Sequence, residues 1–425
     1  GFLKRNADGL KFENAEGAAR FWGCGANVDP RMSRERQSSR ARYLAKHGVN
    51  MVRQHSVFGF LGPLKNGRFD ARKLDDLDWW FAELKKNGIY STWSVFYPLV
   101  IDAKSGYPPE LFAELEKGKT SGFVNMSRRL QDLQLVYVRK LLEHKNPHTG
   151  LAYRDDPALA VLEVHNEDCI FWHFPLNLLA SGKKPAHAKV LRKAFCAWAK
   201  RRYATDAELQ KAWGTKESLA DGELKIYGAW QMKGEKRDRR MGDFIRFLTE
   251  MQRGYYARRE GEYRSIGFKG VTVTTAWRAG GPAADPANLY CDTAMDMIDR
   301  HNYFGGGTGG HGIAKGEVRN GTHLARPGSG ILSSGLYQVE DRPFCMTEWT
   351  QSPPNQWKAE IAPLVAFYGM GLQGWDASYH FLNTHARLGD GWPGNRSYAT
   401  DTPHYIGQFP ALAFAVHKGH VKQAP

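Results

Sequence analysis

Two glutamates stand where apolar, β-branched runs stop. In "ALAVLEVHNED" (158–168) the run ends in His165, Asn166, Glu167 and Asp168, and in "PFCMTEW" (343–349) another ends in Glu348 and Trp349. A pair of carboxyl groups on rigid mounts suits the cleavage of an acetal. One protonates the departing oxygen, the other meets the oxocarbenium-like carbon, and retaining chemistry holds them about 5–5.5 Å apart. The two groups need different surroundings: the acid/base needs a raised pKa, whereas the nucleophile must stay ionised among Arg or Tyr donors. Arg53 and Tyr303, each closing a run of its own, suit that donor role beside Glu348, and Asn166 suits a sugar 2-hydroxyl.

The elements that must position these groups repeat one theme, a short β-rich run followed by an amphipathic segment. "RFWGCGANV" (20–28), "VNMVRQHSV" (49–57), "IYSTWSVFY" (89–97), 158–167, "GVTVTTAW" (270–277), "DMIDRHNYF" (296–304), 343–349 and "LQGWDASYHF" (372–381) read as eight strands. Between them lie helical patterns at 33–47, 71–88, 129–144 and across 186–265. Eight alternating units in one chain imply a (β/α)8 TIM barrel with enlarged βα loops, read as one catalytic domain over 1–425. Residues 1–19 read as an N-terminal β-hairpin turned at 15–17 and capping the barrel floor, and 98–127 and 170–240 as loop and helical insertions.

In such a barrel, functional groups project from the C-terminal strand ends. Those ends supply Arg53 and His55, Trp93, Asn166 and Glu167, Trp277, His301 and Tyr303, Glu348 and Trp349, then Trp375 and Asp376. Glu167 and Glu348 end the fourth and seventh strands, so they face each other across the mouth. Trp93, Trp277, Trp349, Trp375 and Trp392 suit stacking on sugar rings, while Trp79, Trp80, Trp198 and Trp213 fall in helical runs and pack. Asp168 and Asp376 read as supporting or loop-capping groups, and Asp292, Asp296 and Asp299 as structural. The run "FGGGTGGHG" (304–312) lacks the context of a dinucleotide fingerprint and reads as a mobile flap beside the site.

Composition narrows the classes. The 59 Lys and Arg against 44 Asp and Glu give +15, spread over helices with no nucleic-acid motif, which leaves a solvated basic surface or an anionic glycan. Cysteines 24, 169, 196, 291 and 345 form no CxxC pair and no even framework. No apolar run reaches the ~20 residues of a bilayer span, and a removed leader would place the chain in the extracellular space or periplasm. No cofactor is expected. Two other classes stay open: a metal-dependent TIM-barrel lyase, isomerase or hydrolase using His55, His165, Glu167 and His301, and an inactive carbohydrate-binding barrel.

The ordered set "GVNMVRQH", "VHNE", "DRHNYF", "MTEW" and "LQGWDASY" resembles the clan A retaining glycoside hydrolases, the (β/α)8 group that includes the family 5 cellulase-like enzymes. The resemblance covers nearly the whole chain. It implies Glu167 as acid/base and Glu348 as nucleophile in the double-displacement cleavage of a β-linked oligo- or polysaccharide. It further implies that Arg53, His301, Tyr303 and Trp375 orient the nucleophile and floor the sugar subsite. Asp168 after Glu167 departs from many relatives, which carry Pro or another residue there.

Overall fold

The computed structural model describes residues 1–6, 9–234, 238–306, 319–352, 355–384, 398 and 401–425. Its strands are β1 (Leu3–Asn6), β2 (Gly9–Phe12), β3 (Phe21–Gly25), β4 (Met51–Gln54), β5 (Tyr90–Ser94), β6 (Leu159–Glu163), β7 (Val271–Val273), β8 (Ile298–Gly305), β9 (Phe344–Ser352) and β10 (Ala377–His380). The last eight form one sheet in the order β7-β6-β5-β4-β3-β10-β9-β8, and every registered neighbour pair in it is parallel. A parallel bridge between Val273 and Met297 joins the outer strands and closes the ring. The expected (β/α)8 barrel is therefore present. β6 and β9 are its fourth and seventh strands.

Local chemistry fixes where the helices begin. Ser33, Asp70 and Ser127 each accept a hydrogen bond from a backbone N–H three residues on, which starts the helices Arg34–Lys46, Ala71–Lys86 and Arg128–Glu143. The helices cover the sheet with a layer that includes Trp80, Phe81, Leu141, Leu142, Phe244 and Tyr256, all buried. The 98–127 segment carries four short helical turns, and 170–240 carries the helices His173–Ala180, Pro185–Lys200, Asp206–Trp213 and Ala229–Lys233.

The barrel interior is stacked in layers, as the strand period of two requires. The lowest layer is apolar: Phe21, Met51, Val161, Val271, Met297, Cys345, Ala377 and Tyr379 are all at most 1 % exposed. Gly23 makes room there, because a Cβ would lie 2.5 Å from the Tyr379 ring. Leu3, Leu10 and Phe12 of the hairpin close this layer from below, with Phe12 packed against Phe21 and Tyr90. The hairpin does cap the floor, but its strands are β1 and β2, with Asn6 paired to Gly9, so residues 15–17 lie beyond it and are not its turn. Gly9 sits at φ +126°, and Asp376 accepts from Leu10 N immediately beyond it.

Candidate active site

Above the apolar layer the interior turns polar. Arg53 of β4 is fully buried and spans two carboxylates. It donates to Glu163 Oε2 of β6 from Nε (3.1 Å) and Nη2 (2.7 Å), to Glu348 Oε1 from Nη1 (2.5 Å), and to Asn166 Oδ1 from Nη2 (2.7 Å). Tyr303 OH donates to Glu348 Oε2 at 2.6 Å, so both oxygens of Glu348 are engaged. His55 Nδ1 lies 3.4 Å from Oε1 of the same group.

Glu348 reaches this position through a bulge. The register between β8 and β9 slips between Arg300 and His301, so Met346 pairs with Arg300, Glu348 with His301, and Thr347 is skipped. An extra residue re-aims the side chains after it. Thr347 and Glu348 consequently both face inward, with Thr347 Oγ1 bonded to His301 Nε2 at 2.8 Å and its backbone N–H donating to Asp299 Oδ1 at 3.0 Å.

Glu167 arrives differently. β6 ends at Glu163, and Glu167 sits four residues beyond it at φ +41°, a left-handed conformation that non-glycine residues rarely adopt. His301 Nδ1 holds Glu167 Oε1 at 2.8 Å and lies 3.4 Å from Glu348 Oε2. Ligand-capable atoms of Glu167, His301 and Glu348 all fall within 4.8 Å of one another. The two carboxyl groups predicted to face each other thus share one imidazole.

The electrostatics separate them. Burial alone would push Glu348 up, but the charges of His301 and Arg53 and the contact with His55 outweigh it and hold the group well below its ordinary range. Burial also opposes the His301 imidazolium, yet the negative charge of Glu348 and the bond to Glu167 raise its pKa to about 9. Asp299 beneath is pushed up to about 7 by burial. A cation held against Glu348 is therefore built in, partly from Arg53 and partly from His301. Glu167, His301 and Glu348 bring together atoms of the kind that ligate metals, but the Arg53 guanidinium already occupies one Glu348 oxygen and repels a second cation.

Not every predicted residue meets the site. Trp93 points into the helix layer, 5.7 Å from the ring of Phe81 and 4.5 Å from that of Tyr153. Trp349 faces the same way, fully buried with Nε1 on Ser378 Oγ, because the bulge that turns Glu348 inward turns its neighbour out. Trp375 and Asp376 precede β10 and lie at the barrel floor: Trp375 is buried against Phe344, and Asp376 accepts from Phe344 N at 2.9 Å. Trp277 is half-buried behind Trp172, with ring centroids 5.5 Å apart, and Trp172 lines the recess that also contains Glu167. His165 is buried with Nε2 on Tyr256 OH at 3.1 Å, so the metal set His55, His165, Glu167 and His301 is not assembled. Trp392 and most of the glycine-rich run lie outside the described residues.

Glu163, Tyr97, Phe381 and Tyr398 join the site without having been singled out in the sequence, and Asp299, read there as structural, lies beneath it. Asp299 lies one inward step below His301, and Glu163 closes β6 three residues before Asn166. The aromatic rim is Tyr97, Phe381, Tyr398 and Tyr303: Tyr97 is 5.3 Å from the His55 ring, and Phe381 is 5.0 Å from Tyr398 and 6.3 Å from Tyr303. Asp168 accepts from Gly122 N and Asn125 Nδ2, both at 2.8 Å, and thereby fastens the 98–127 insertion beside Glu167. Asp292 pairs with the buried Arg300, and Asp296 with Arg264, as structural groups.

A closed (β/α)8 barrel with two carboxylates at the C-terminal mouth of its fourth and seventh strands defines a class of barrel hydrolases. The chain belongs to the Glyco_hydro_42 family, whose model, described as beta-galactosidase, matches residues 30–365. A mannan endo-1,4-beta-mannosidase 2 from Oryza sativa subsp. japonica is 31 % identical over 155 residues, 35 % of this chain and 34 % of that protein, so the match spans about a third of the relative. Among solved structures, the beta-galactosidase from Rahnella sp. R3 shares the fold at TM-score 0.63 and 15 % identity, over 95 % of this chain and 56 % of that one. A family 5 mannosidase from Rhizomucor miehei does so at TM-score 0.56 and 11 % identity, over 99 % and 100 %. These matches fall within the clan A group that the motifs resemble.

Proposed function

We propose that the chain is a retaining glycoside hydrolase that cleaves β-linked oligo- or polysaccharides by double displacement, with Glu348 as nucleophile and Glu167 as acid/base. The observation that carries this reading is the pair of carboxyl groups with oxygens within 4.8 Å of one another, one of them held ionised by Arg53, Tyr303 and His301. That separation supports the retaining reading, whose carboxyl groups stand about 5–5.5 Å apart, over the inverting one, which begins at about 6.5 Å.

In the first step Glu167 gives its proton to the departing oxygen while a Glu348 oxygen bonds the anomeric carbon. The leaving group departs as an alcohol and Glu167 is left as a carboxylate. In the second step Glu167 takes a proton from water, the resulting hydroxide attacks the anomeric carbon, and Glu348 is released with the configuration retained. Arg53 and Tyr303 orient Glu348 and disperse its charge. Asn166 has its oxygen engaged by Arg53, so its amide N–H groups are what it offers a sugar 2-hydroxyl, a contact that strengthens as charge develops at the ring. Tyr97, Phe381 and Tyr398 give apolar faces for the sugar ring. The +15 charge fits a glycan that itself carries acid groups, and a polymeric substrate is consistent with work in the extracellular space or periplasm.

The test separates the two carboxylates. Glu167→Ala should lose roughly 10²–10⁴-fold on glycosides with poor leaving groups and far less on activated aryl glycosides, because protonation matters most for a basic leaving oxygen. A glycosyl-enzyme should then accumulate, and added azide should resolve it to a β-glycosyl azide of retained configuration when the substrate is a β-glycoside. Azide product of inverted configuration would mean that the roles are exchanged. No effect on any glycoside would remove Glu167 from the chemistry.

A further inference from the structure

Where the chain leaves β3 and β10, across the barrel from the strand that leads to Glu167, lies a second hollow of about 580 Å³. It is framed by the segment after β3 (Asn27, Asp29, Arg31), by Arg36 and Arg40 on one face of the helix Arg34–Lys46, and by Asn383 after β10. Its wall is continuous with the catalytic centre. Asn27 Oδ1 accepts from His55 N at 2.8 Å, and His55 Nδ1 touches Glu348 Oε1 at 3.4 Å.

Among the described residues the charge in this hollow is unbalanced. Arg31 and Asp29 neutralise each other through two hydrogen bonds of 2.9 Å. Arg40 is 2 % exposed, yet its donors meet only neutral oxygens: Asn383 Oδ1 and Asn27 O, both at 2.7 Å, and Asn383 O at 2.5 Å. Asp401 accepts from Asn383 Nδ2, and it and Asp29 act on Arg40 only at a distance. Arg36 is exposed, and among the described residues no carboxylate pairs with it. Ser33 caps the helix at Arg36 N, so the positive end of the helix dipole points the same way. Burying a guanidinium against neutral oxygens is costly unless its field is used.

We propose that this hollow is a glycone-side subsite for an acidic sugar unit, with Arg36 as the direct partner of a carboxylate or sulfate ester and Arg40 as the buried charge behind it. The proposal rests on the hydrolase reading and deepens it. The side follows from topology: β10 stands four strands from β6 in a ring of eight, hence diametrically opposite the strand that carries the proton donor to the leaving group. A guanidinium suits such a group because its planar donors match two oxygens of a carboxylate or sulfate at once.

The experiment compares matched probes: β-1,4-mannuronate with β-1,4-manno-oligosaccharides, and sulfated galacto-oligosaccharides with the same material after desulfation. The wild type should favour the acidic member of one pair by about tenfold or more in kcat/KM, as expected of one charge-assisted bond. Which pair shows it identifies carboxylate or sulfate. The preference should shrink as sodium chloride is raised, fall about tenfold in Arg36→Ala, invert in Arg36→Glu and survive in Arg36→Lys. A merely structural defect would lower both members of a pair and leave their ratio intact. Binding of the same probes to Glu348→Gln by calorimetry separates this proposal from the catalytic one: absence of turnover on every glycoside sinks the hydrolase reading, while Arg36-dependent binding of an acidic probe still upholds the subsite. Equal affinity for acidic and neutral members, or a preference unchanged in Arg36→Glu, overturns it.

Discussion

At the residue scale the site is a contest between burial and charge, and Glu348 and His301 settle it for each other. Each is buried, which disfavours its charged form, and each is charged because the other is present. The consequences for stability have opposite signs. The raised pKa of His301 contributes stability that is complete below its ordinary 6.5 and is lost as pH rises through about 9. The depressed pKa of Glu348 contributes stability present above its ordinary 4.5 and lost as pH falls below that. The pair is therefore most secure between those limits. Proton NMR of the histidine rings, with the signal assigned by its absence in His301→Gln, should place His301 near pH 9 in the wild type. Glu348→Gln removes the anion, and the midpoint should fall toward 6.5. An unshifted midpoint in that variant would show that Glu348 does not hold the imidazolium.

At the element scale, what the sequence made legible and what it hid divide along one line. Eight apolar runs alternating with amphipathic segments suffice for the barrel, because burial on both faces and helical periodicity are written in residue type. Where a run ends, and which side each residue faces, are not. Trp375 looked like a strand end, but Gly374 at φ +71° turns the chain just before it, so the strand only starts beyond. Simple alternation from Cys345 and Thr347 would send Trp349 inward and Glu348 out; the bulge reverses that, and no residue in "MTEW" announces a bulge. Trp93, by contrast, was readable, since Tyr90 and Thr92 face in and period two then sends it out. Glu163 and Asp299 carry the same inward parity as Arg53 and His301. The insertions have their own logic. Asp168 clamps residues 122 and 125 beside Glu167, and burial pushes its carboxyl up to about 7. Asp168→Ala leaves two buried donors unpaired, at about 1–3 kcal/mol each. It should lower Tm and open 98–127 to protease. A carboxyl raised from 3.8 to about 7 contributes less stability as pH rises between those values, so the deficit should be larger at the acid end of that window than at its top. A Tm equal to that of the wild type at both ends would remove Asp168 as the clamp.

At the scale of the whole molecule the barrel is polar at one end and sealed at the other, and Asp376 holds the seal. Its oxygens accept from Leu10 N of the hairpin at 3.2 Å and Phe344 N at the start of β9 at 2.9 Å, and Arg20 Nη1 lies 3.5 Å away. It therefore ties the hairpin to the strand that carries the nucleophile, while itself lying at that strand's start, below Glu348. Without it, two buried N–H groups lose their acceptor and the apolar layer of Phe21, Met51 and Tyr379 loses the anchor of its cover. Asp376→Ala should therefore cost about 2–5 kcal/mol and lower Tm by several degrees. Arg20 also donates to the carbonyls of Gly374 and Trp375, so its charge keeps neutral partners and the local turn should persist. The bowl is untouched by the change, so at temperatures where the variant remains folded its KM and its discrimination between leaving groups should match the wild type. A variant with unchanged Tm would show that the hairpin is held by its apolar contacts alone. A variant of lower Tm whose KM also shifts would show that the floor and the mouth of the barrel are mechanically coupled through β9.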